Sequence, residues 1–394
     1  MISVDEAKAI IEKEITPLSP VKKSLQESAG KLLAEDIYAS IDIPAYPQSS
    51  MDGYAFSFDA WKENNELTVN GVIAAGHDKD VPLRTGDAVR IFTGAAVPSG
   101  ADTVVMQEKT KIVNGVLIIE DENLSLGTNV RPMGSEIRSG ERALGKLSYL
   151  SPPAIGFLAG LGIKELSVYP KPSVSIIVTG NELQKPGNPL QYGQVYESNS
   201  FALTAALQQI GISEINIVHV DDKLEELTAI LNSCLQKTDL VLLTGGISVG
   251  DYDFVLRASN NCGVIQLFHK VKQRPGKPLY LGIKENKVVF GLPGNPSSVL
   301  SCFYQYVMIA IGKMSNQRII LEMKRVPLSN SFKKAAGLTH FLKGYYDGSS
   351  VTLLNAQESY RLSSFARANC LVQINEEVTV YPVGELVEIH LLPT

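Results

Sequence analysis

A chain of 394 residues with 44% apolar and 20% charged residues is too long for one ordinary core, so two to four folded domains are expected. Its net charge of −5 argues against a general nucleic-acid binder but leaves room for a local basic pocket. None of the four cysteines (Cys234, Cys262, Cys302, Cys370) lies in a C-x-x-C pair or at metal-ligand spacing from a histidine, so reduced structural thiols in a cytoplasmic protein are expected.

The first residues, MISVDEAKAI, lack a basic stretch followed by an apolar one, which speaks against a signal peptide. Ser3 and Glu6 form an S-x-x-E capping box, predicting a helix with Ala7, Ile10 and Ile11 on it. The spacing of Leu25, Ala29, Leu32 and Leu33 predicts a second helix. A small-residue run over 152–162 predicts a third, giving a helical unit from 1–41 plus 148–169. Between them, 42–147 reads as an inserted β domain of short strands and polar turns. Three of those turns are richer than hairpins need: Ser50-Met51-Asp52-Gly53-Tyr54, Thr93-Gly94-Ala95, and the stretch from Arg131 to Glu136.

From Lys171 the pattern alternates strand and helix, predicting a parallel, doubly wound sheet over 170–318. Strands are expected over 174–179, 214–220, 239–244 and 287–292, with Asn199 or Ser200 capping the helix after the first of them. The run 239–244 ends in Gly245-Gly246, followed by Ser248, Asp251 and Asp253. In open α/β sheets ligands bind at that end, and paired glycines let the backbone approach a ligand closely. Glu182, Asp221 and Asp222 fall at the ends of neighbouring strands. Lys272 to Pro278 is a basic Pro/Gly loop carrying Arg274 and Lys277. Pro293-Gly294-Asn295-Pro296 is a helix start, with Asn295 as N-cap and Pro296 at the first helical position. Residues 299–311 are apolar but too few to span a membrane. Short strands return over 319–394, predicting a second β domain, a barrel.

Carboxylates beside a basic loop and a helix start point to a phosphorylated ligand with Mg²⁺. The five histidines are scattered, and no Ser/His/Asp arrangement, Walker A loop or H-E-x-x-H is present. The residues alone stop at that phosphate ligand.

The motifs taken together resemble the MoeA family of molybdopterin molybdenumtransferases, also found as the C-terminal part of gephyrin. The resemblance is carried by Ser50-Met51-Asp52-Gly53-Tyr54-Ala55, Ile91-Phe92-Thr93-Gly94-Ala95, Thr179-Gly180-Asn181-Glu182-Leu183, the run from Thr244 to Asp253, Arg274-Pro275-Gly276-Lys277-Pro278, and Leu292-Pro293-Gly294-Asn295-Pro296. Ser363-Ser364 resembles a further motif. The departures are Pro47-Gln48-Ser49-Ser50 where Asp-Asn-Ser-Ala is frequent, Glu136 where Asp is common, and Arg274 for a frequent Lys.

The resemblance implies a four-domain homodimer whose active cleft lies between the α/β domain of one subunit and the inserted β domain of the other. Adenylylated molybdopterin and molybdate would be the substrates, with Mg²⁺-assisted release of AMP. It implies Asp221 or Asp222 and Asp253 at the cation, Glu182 orienting substrate, and Arg274 and Lys277 on molybdate or phosphate oxygens. Gly245, Gly246, Ser248, Pro293 to Pro296, Ser363 and Ser364 would contact substrate, and Asp52, Thr93, Arg131 and Glu136 would come from the partner chain. A MogA-type adenylyltransferase and molybdoenzyme apoproteins are the implied partners. A carrier or scaffold, and a related pterin or nucleotide adenylyltransferase, are the competing readings; the missing fused domain and long linker weigh against a scaffold, and the flanking β domains and the Met-Asp-Gly turn against the adenylyltransferase.

Overall fold

The computed structural model describes residues 1–246 and 254–393. By contacts, the chain divides into two units, Met1–Val21 with Tyr169–Thr394, and Lys22–Val168.

The larger unit is built on a six-stranded sheet. Its order is Ile215–Val220, Val174–Thr179, Leu240–Thr244, Lys287–Leu292, Tyr280–Lys284, Ile265–His269. The first four are parallel, as expected. The last two form an antiparallel edge that the sequence reading missed. That reading took 272–278 as a loop between crossovers. The strands on either side of it turn back on each other instead. Val174–Thr179 and Leu240–Thr244 are buried along their whole length, which is why they read as continuous apolar runs. After Val174–Thr179 the chain adds a strand on one side, then crosses back to add Leu240–Thr244 on the other. The carboxyl ends of these two strands therefore form a topological switch point, where a crevice opens.

Asp239 staples the opposite ends of three neighbouring strands. Its carboxylate accepts from the Ser173 backbone N–H (3.0 Å) and hydroxyl (2.7 Å) and from Lys287 Nζ (3.0 Å). Burial pushes the Asp239 carboxyl up, but the Ser173 hydrogen bonds and Lys287 outweigh it and hold it below 3.8. A depressed carboxyl contributes stability that is present above its unfolded value and lost as pH falls through its folded one. The urea midpoint is therefore expected to hold down to about pH 5 and to drop on acidification through the Asp239 range. Asp239→Asn should flatten part of that drop.

Helix Val4–Glu14 has the full capping box: Ser3 Oγ accepts from Glu6 N–H, and Glu6 accepts from Ser3 N–H. Its Val4, Ala7 and Ile11 join the core formed by Leu203, Phe290, Phe303, Tyr306 and Ile311 on one face of the sheet. It thus belongs to the α/β body and not to a helical unit with 148–169. A second core on the other face holds Leu227, Leu231, Val255 and Tyr280.

The C-terminal domain lies in the same unit. Its main sheet runs Gln273–Arg274, Thr339–Tyr346, Cys370–Ile374, Leu386–Leu391, Glu322–Pro327, with Val351–Leu353 on the second strand. Just past the last of these, Leu328 bridges Val351 on the strand paired with the second, so the expected barrel is met only by this isolated bridge. Gln273–Arg274 comes from the basic loop, so that loop is a strand of the C-terminal sheet.

In the smaller unit the expected helix over 25–33 is absent. Gln26–Ser28 is a 3₁₀ turn and Leu32–Leu33 a short strand in a three-stranded sheet with Val21–Ser24 and Glu165–Tyr169. The helical spacing misled because Leu33 is buried against Leu150, Leu158 and Leu166 by tertiary contacts of a strand. Helix Pro152–Gly160 is present, capped by Ser151. The six-stranded β sheet of this unit has the order Thr103–Met106, Gly53–Phe56, Asp87–Ile91, Leu67–Ile73, Val116–Ile119, Thr110–Val113. No described helix is long and apolar enough to cross a membrane.

Candidate active site

The switch point is held open by glycine. Gly245 has φ +88°, and a Cβ there would sit 2.5 Å from Thr179 O. Gly246 follows with φ +62°, its Cβ position 3.2 Å from Thr179 Oγ1. Two strand ends can approach this closely only without side chains. The approach leaves hydroxyls facing inward: Thr179 Oγ1 and Thr244 Oγ1 are buried with no hydrogen-bond partner among the described residues. Asn199 Oδ1 and Ser297 Oγ, on helices that start beside the same strand ends, are in the same condition. Buried polar atoms without partners are costly, and two of these four, on Thr179 and Asn199, belong to residues that line one opening.

That opening is a cleft of about 610 Å³ whose lining includes Thr179, Glu182, Asn199, Gly245, Gly294 and Tyr360. A second segment of about 470 Å³ shares Gly294, Asn295 and Tyr360 with it and continues past Arg274, Lys277 and Pro293. Arg274 and Lys277 are exposed, and neither pairs with an acid among the described residues. One wall is thus cationic and the floor offers hydroxyls and backbone.

The Pro-Gly-Asn-Pro turn is fixed from both sides. Asn199 Nδ2 donates to Gly294 O (2.8 Å). Asn295 is the N-cap residue and Pro296 stands at N1, as expected, but the Asn295 amide donates to Ser359 Oγ (3.0 Å) and not to its own helix. Ser297 N–H donates to Ser359 O. The helix after it passes through a π turn at Phe303–Val307 and ends at Met314. Behind the basic loop, Gly276 leaves no room for a Cβ, which would meet Cys302 Sγ at 2.5 Å. The Cys302 thiol is buried and pushed up to about 12 by burial, so it packs as an apolar group.

Of the acids, Glu182 lines the cleft with an exposed side chain. Asp221 pairs with Lys223 at 3.3 Å, and Asp222 N–H donates to Asn181 Oδ1. Ser248, Asp251 and Asp253 lie outside the described residues. No group of three or more His, Cys, Asp or Glu that could hold a metal occurs among the described residues.

Ser363 is exposed, whereas Ser364 is fully buried and donates to Ala356 O (2.7 Å). Ser364 thus supports the wall from behind and presents nothing to the cleft. Ser364→Ala is expected to cost about 1 kcal/mol, read by urea denaturation, with substrate affinity shifting only a few-fold.

In the smaller unit, Asp52 and Thr93 are brought together from separate turns. Asp52 Oδ1 accepts from Thr93 N–H and Thr93 Oγ1, each at 2.8 Å. These bonds, the backbone one foremost, hold the carboxyl below its usual range, and Arg90 adds to the effect. Arg131 pairs in a short ladder with Gln48, beside the same turn, while Ser50 N–H donates to Asn129 O. Glu136 sits apart from them on the Ile43 strand bridge, its N–H donating to Ile43 O.

The sequence reading missed two wall residues, Ser359 and Tyr360, and treated Asn199 only as a helix cap. The cap residue is Ser198, and the free Ser200 N–H is taken by Glu197, which is buried. An Asn beside a Ser that can already cap a helix was the available signal for Asn199.

The sheet, its switch point and its glycine-lined cleft define an α/β protein of the class that binds ligands at the carboxyl ends of its strands. Three family models match in order: "MoeA N-terminal region (domain I and II)" over residues 2–162, "Probable molybdopterin binding domain" over 175–313, and "MoeA C-terminal region (domain IV)" over 325–392. The chain belongs to the MoeA family of molybdopterin molybdenumtransferases. It is 33% identical over 407 residues to a molybdopterin molybdenumtransferase of Haemophilus influenzae, with all of both chains covered. To the enzyme of that name from Staphylococcus epidermidis it is 32% identical over 401 residues, covering 99% of this chain and 95% of the relative. Two crystal structures of the molybdopterin biosynthesis MoeA protein from Pyrococcus horikoshii are similar, with TM-scores of 0.83 and 0.75 at 28% and 29% identity. They cover 99% and 100% of this chain and the same shares of their own.

Proposed function

We propose that the chain inserts molybdate into adenylylated molybdopterin at the dithiolene, with cleavage of the adenylyl bond and release of AMP. The observation that carries this reading is the glycine-lined cleft, with unpartnered polar atoms of Thr179 and Asn199 in its lining and the exposed Arg274 and Lys277 along its continuation. The relatives, molybdopterin molybdenumtransferases, supply the chemistry.

In this reading the nucleotide end of the substrate lies over Thr179, Gly245 and Gly246, and Ser248 contributes to its binding. Glu182 orients it from the rim. Pro293 to Pro296 present backbone to the pterin. Arg274 and Lys277 hold oxyanion oxygens, the planar fork of Arg274 spanning two of them. Ser363 adds a hydroxyl from the C-terminal domain.

The described acids at this end do not form a cage for an ion by themselves. An all-oxygen donor set of one or two carboxylates does fit a Mg²⁺ ion that arrives on phosphate oxygens. Asp221 or Asp222, with Asp253, would hold it, and when bound it supplies charge neutralisation at the phosphate being released. Asp52, Thr93, Arg131 and Glu136 complete the site from the second chain of a homodimer. A MogA-type adenylyltransferase supplies the substrate and molybdoenzyme apoproteins take the product, in the cytoplasm.

The test is AMP release from adenylylated molybdopterin by the purified chain, with and without molybdate and Mg²⁺. Release that depends on molybdate and yields a cofactor able to activate an apoenzyme is the expected result. Binding without release makes the chain a carrier, and neither binding nor release removes the reading.

A further inference from the structure

The loop 356–361 contributes Tyr360 to both cleft segments and Ser359 to the second. It has no regular secondary structure of its own. What holds it is Lys343, on strand Thr339–Tyr346. The Lys343 side chain is buried, 2% exposed, and its ammonium donates to three loop carbonyls: Ala356 O at 2.8 Å, Arg361 O at 3.1 Å and Glu358 O at 3.4 Å. The contact is reciprocal. Gln357 returns from the loop to the Lys343 backbone, accepting from its N–H at 3.0 Å and donating to its carbonyl at 2.8 Å. The outer side of the loop then docks on the Pro-Gly-Asn-Pro turn through Ser359.

A buried ammonium with three carbonyl acceptors and no carboxylate bonded to it is an unusual way to fold a loop. An uncharged side chain of similar shape would leave all three carbonyls without this donor. We propose that Lys343 is a positioning residue for the active site, a cationic pin that fixes the wall carrying Ser359 and Tyr360 and so sets how tightly the cleft closes on its substrate. The proposal rests on the function given above for what the cleft binds, but not for the pin itself.

The pin donates in either state, since a neutral amine keeps two N–H groups, and the charge sets what burying it costs. Burial lowers the Lys343 ammonium to about 8, with Glu358 opposing that shift and Arg361 adding to it. The strand packed beside it contributes Cys370, whose thiol is raised to about 12 by burial and stays neutral. On its own strand His340 is lowered to about 4, first by burial, and stays neutral too. Both stand at positions of opposite parity to Lys343, on the other face of the sheet, so the charged groups beside its ammonium are Glu358 and Arg361 of the loop. A lysine whose folded value is lowered is penalised in its buried place while charged, so that penalty is fully present below about 8 and is relieved as pH rises from there towards the unfolded value.

Lys343→Met and Lys343→Arg separate the pin from mere packing. Amide exchange by mass spectrometry, which needs no substrate, is expected to speed at least about ten-fold over 356–361 in Lys343→Met while the central sheet is unchanged. In wild type the same segment should tighten as pH rises above about 8, after correction for intrinsic exchange, and Lys343→Arg should abolish that transition because guanidinium stays charged. In AMP release, Lys343→Met should raise KM about ten-fold with kcat within about three-fold, and Lys343→Arg should restore KM. Unchanged exchange in Lys343→Met, or a wild-type transition kept in Lys343→Arg, overturns the pin. Changed exchange with unchanged KM leaves the loop pinned and denies it any part in the site. A wild-type chain that releases no AMP removes the proposed function while the exchange result stands alone.

Discussion

Gly245→Ala is expected to lower stability by about 2–4 kcal/mol and to eliminate ligand binding at the cleft. Two costs add. A non-glycine residue at φ +88° is strained by about 1–2 kcal/mol. The new methyl group would also stand 2.5 Å from Thr179 O and 2.9 Å from Thr179 Oγ1, and the first of these is backbone that cannot rotate away. Relief requires the ends of Val174–Thr179 and Leu240–Thr244 to part, which moves the unpartnered hydroxyls of Thr244 and of Thr179, the latter in the cleft lining. Gly294→Ala is the control. Its Cβ would meet nothing closer than Gly245 Cα at 3.8 Å, and its φ is not in the left-handed region, so its urea midpoint should match wild type. Urea denaturation with AMP titrated calorimetrically checks both variants. A Gly245→Ala chain as stable as wild type would show that the strand ends can separate at no cost.

Asp52→Asn is expected to reduce AMP release by about 100-fold or more with a thermal midpoint within about 3 °C of wild type. Its Oδ1 is committed to the two Thr93 bonds, and asparagine can keep both through its own carbonyl oxygen. Its Oδ2 has no hydrogen bond among the described residues. The substitution thus removes charge at a fixed geometry. Thr93→Ala should behave differently: it deletes one of two donors and leaves the carboxylate, so a loss of about ten-fold or less is expected. Equal losses in the two variants would mean that the turn matters and the charge does not.

How much of this was readable in advance follows from the distance along the chain over which each feature is decided. Val174–Thr179 and Lys287–Leu292 were legible because a strand buried on both faces writes itself as a local apolar run. Pro293 to Pro296 was legible because N-cap and N1 preferences act within one turn. The helix misread at 25–33 came from the same local logic, applied where contacts with Leu150 and Leu158 decide the outcome. Asn199 and Gly294 are 95 positions apart and Asn295 and Ser359 are 64 apart, so no window of sequence contains either pair. Asp52 and Thr93 are 41 apart and were found because each sat in a turn richer than a hairpin needs. Lys343 gave no signal, since a lone lysine in an apolar strand reads as a solvent-facing residue.

Gln273–Arg274 is at once part of the basic loop and a strand of the C-terminal sheet, and Ser359 reaches back to the Pro-Gly-Asn-Pro turn. The C-terminal domain therefore cannot be treated as an interchangeable module. A chimera that joins this α/β body to the C-terminal domain of a relative would inherit half of its ligand preference from the donor, and would lose it outright unless the graft carried the partner strand for Arg274 along with the wall.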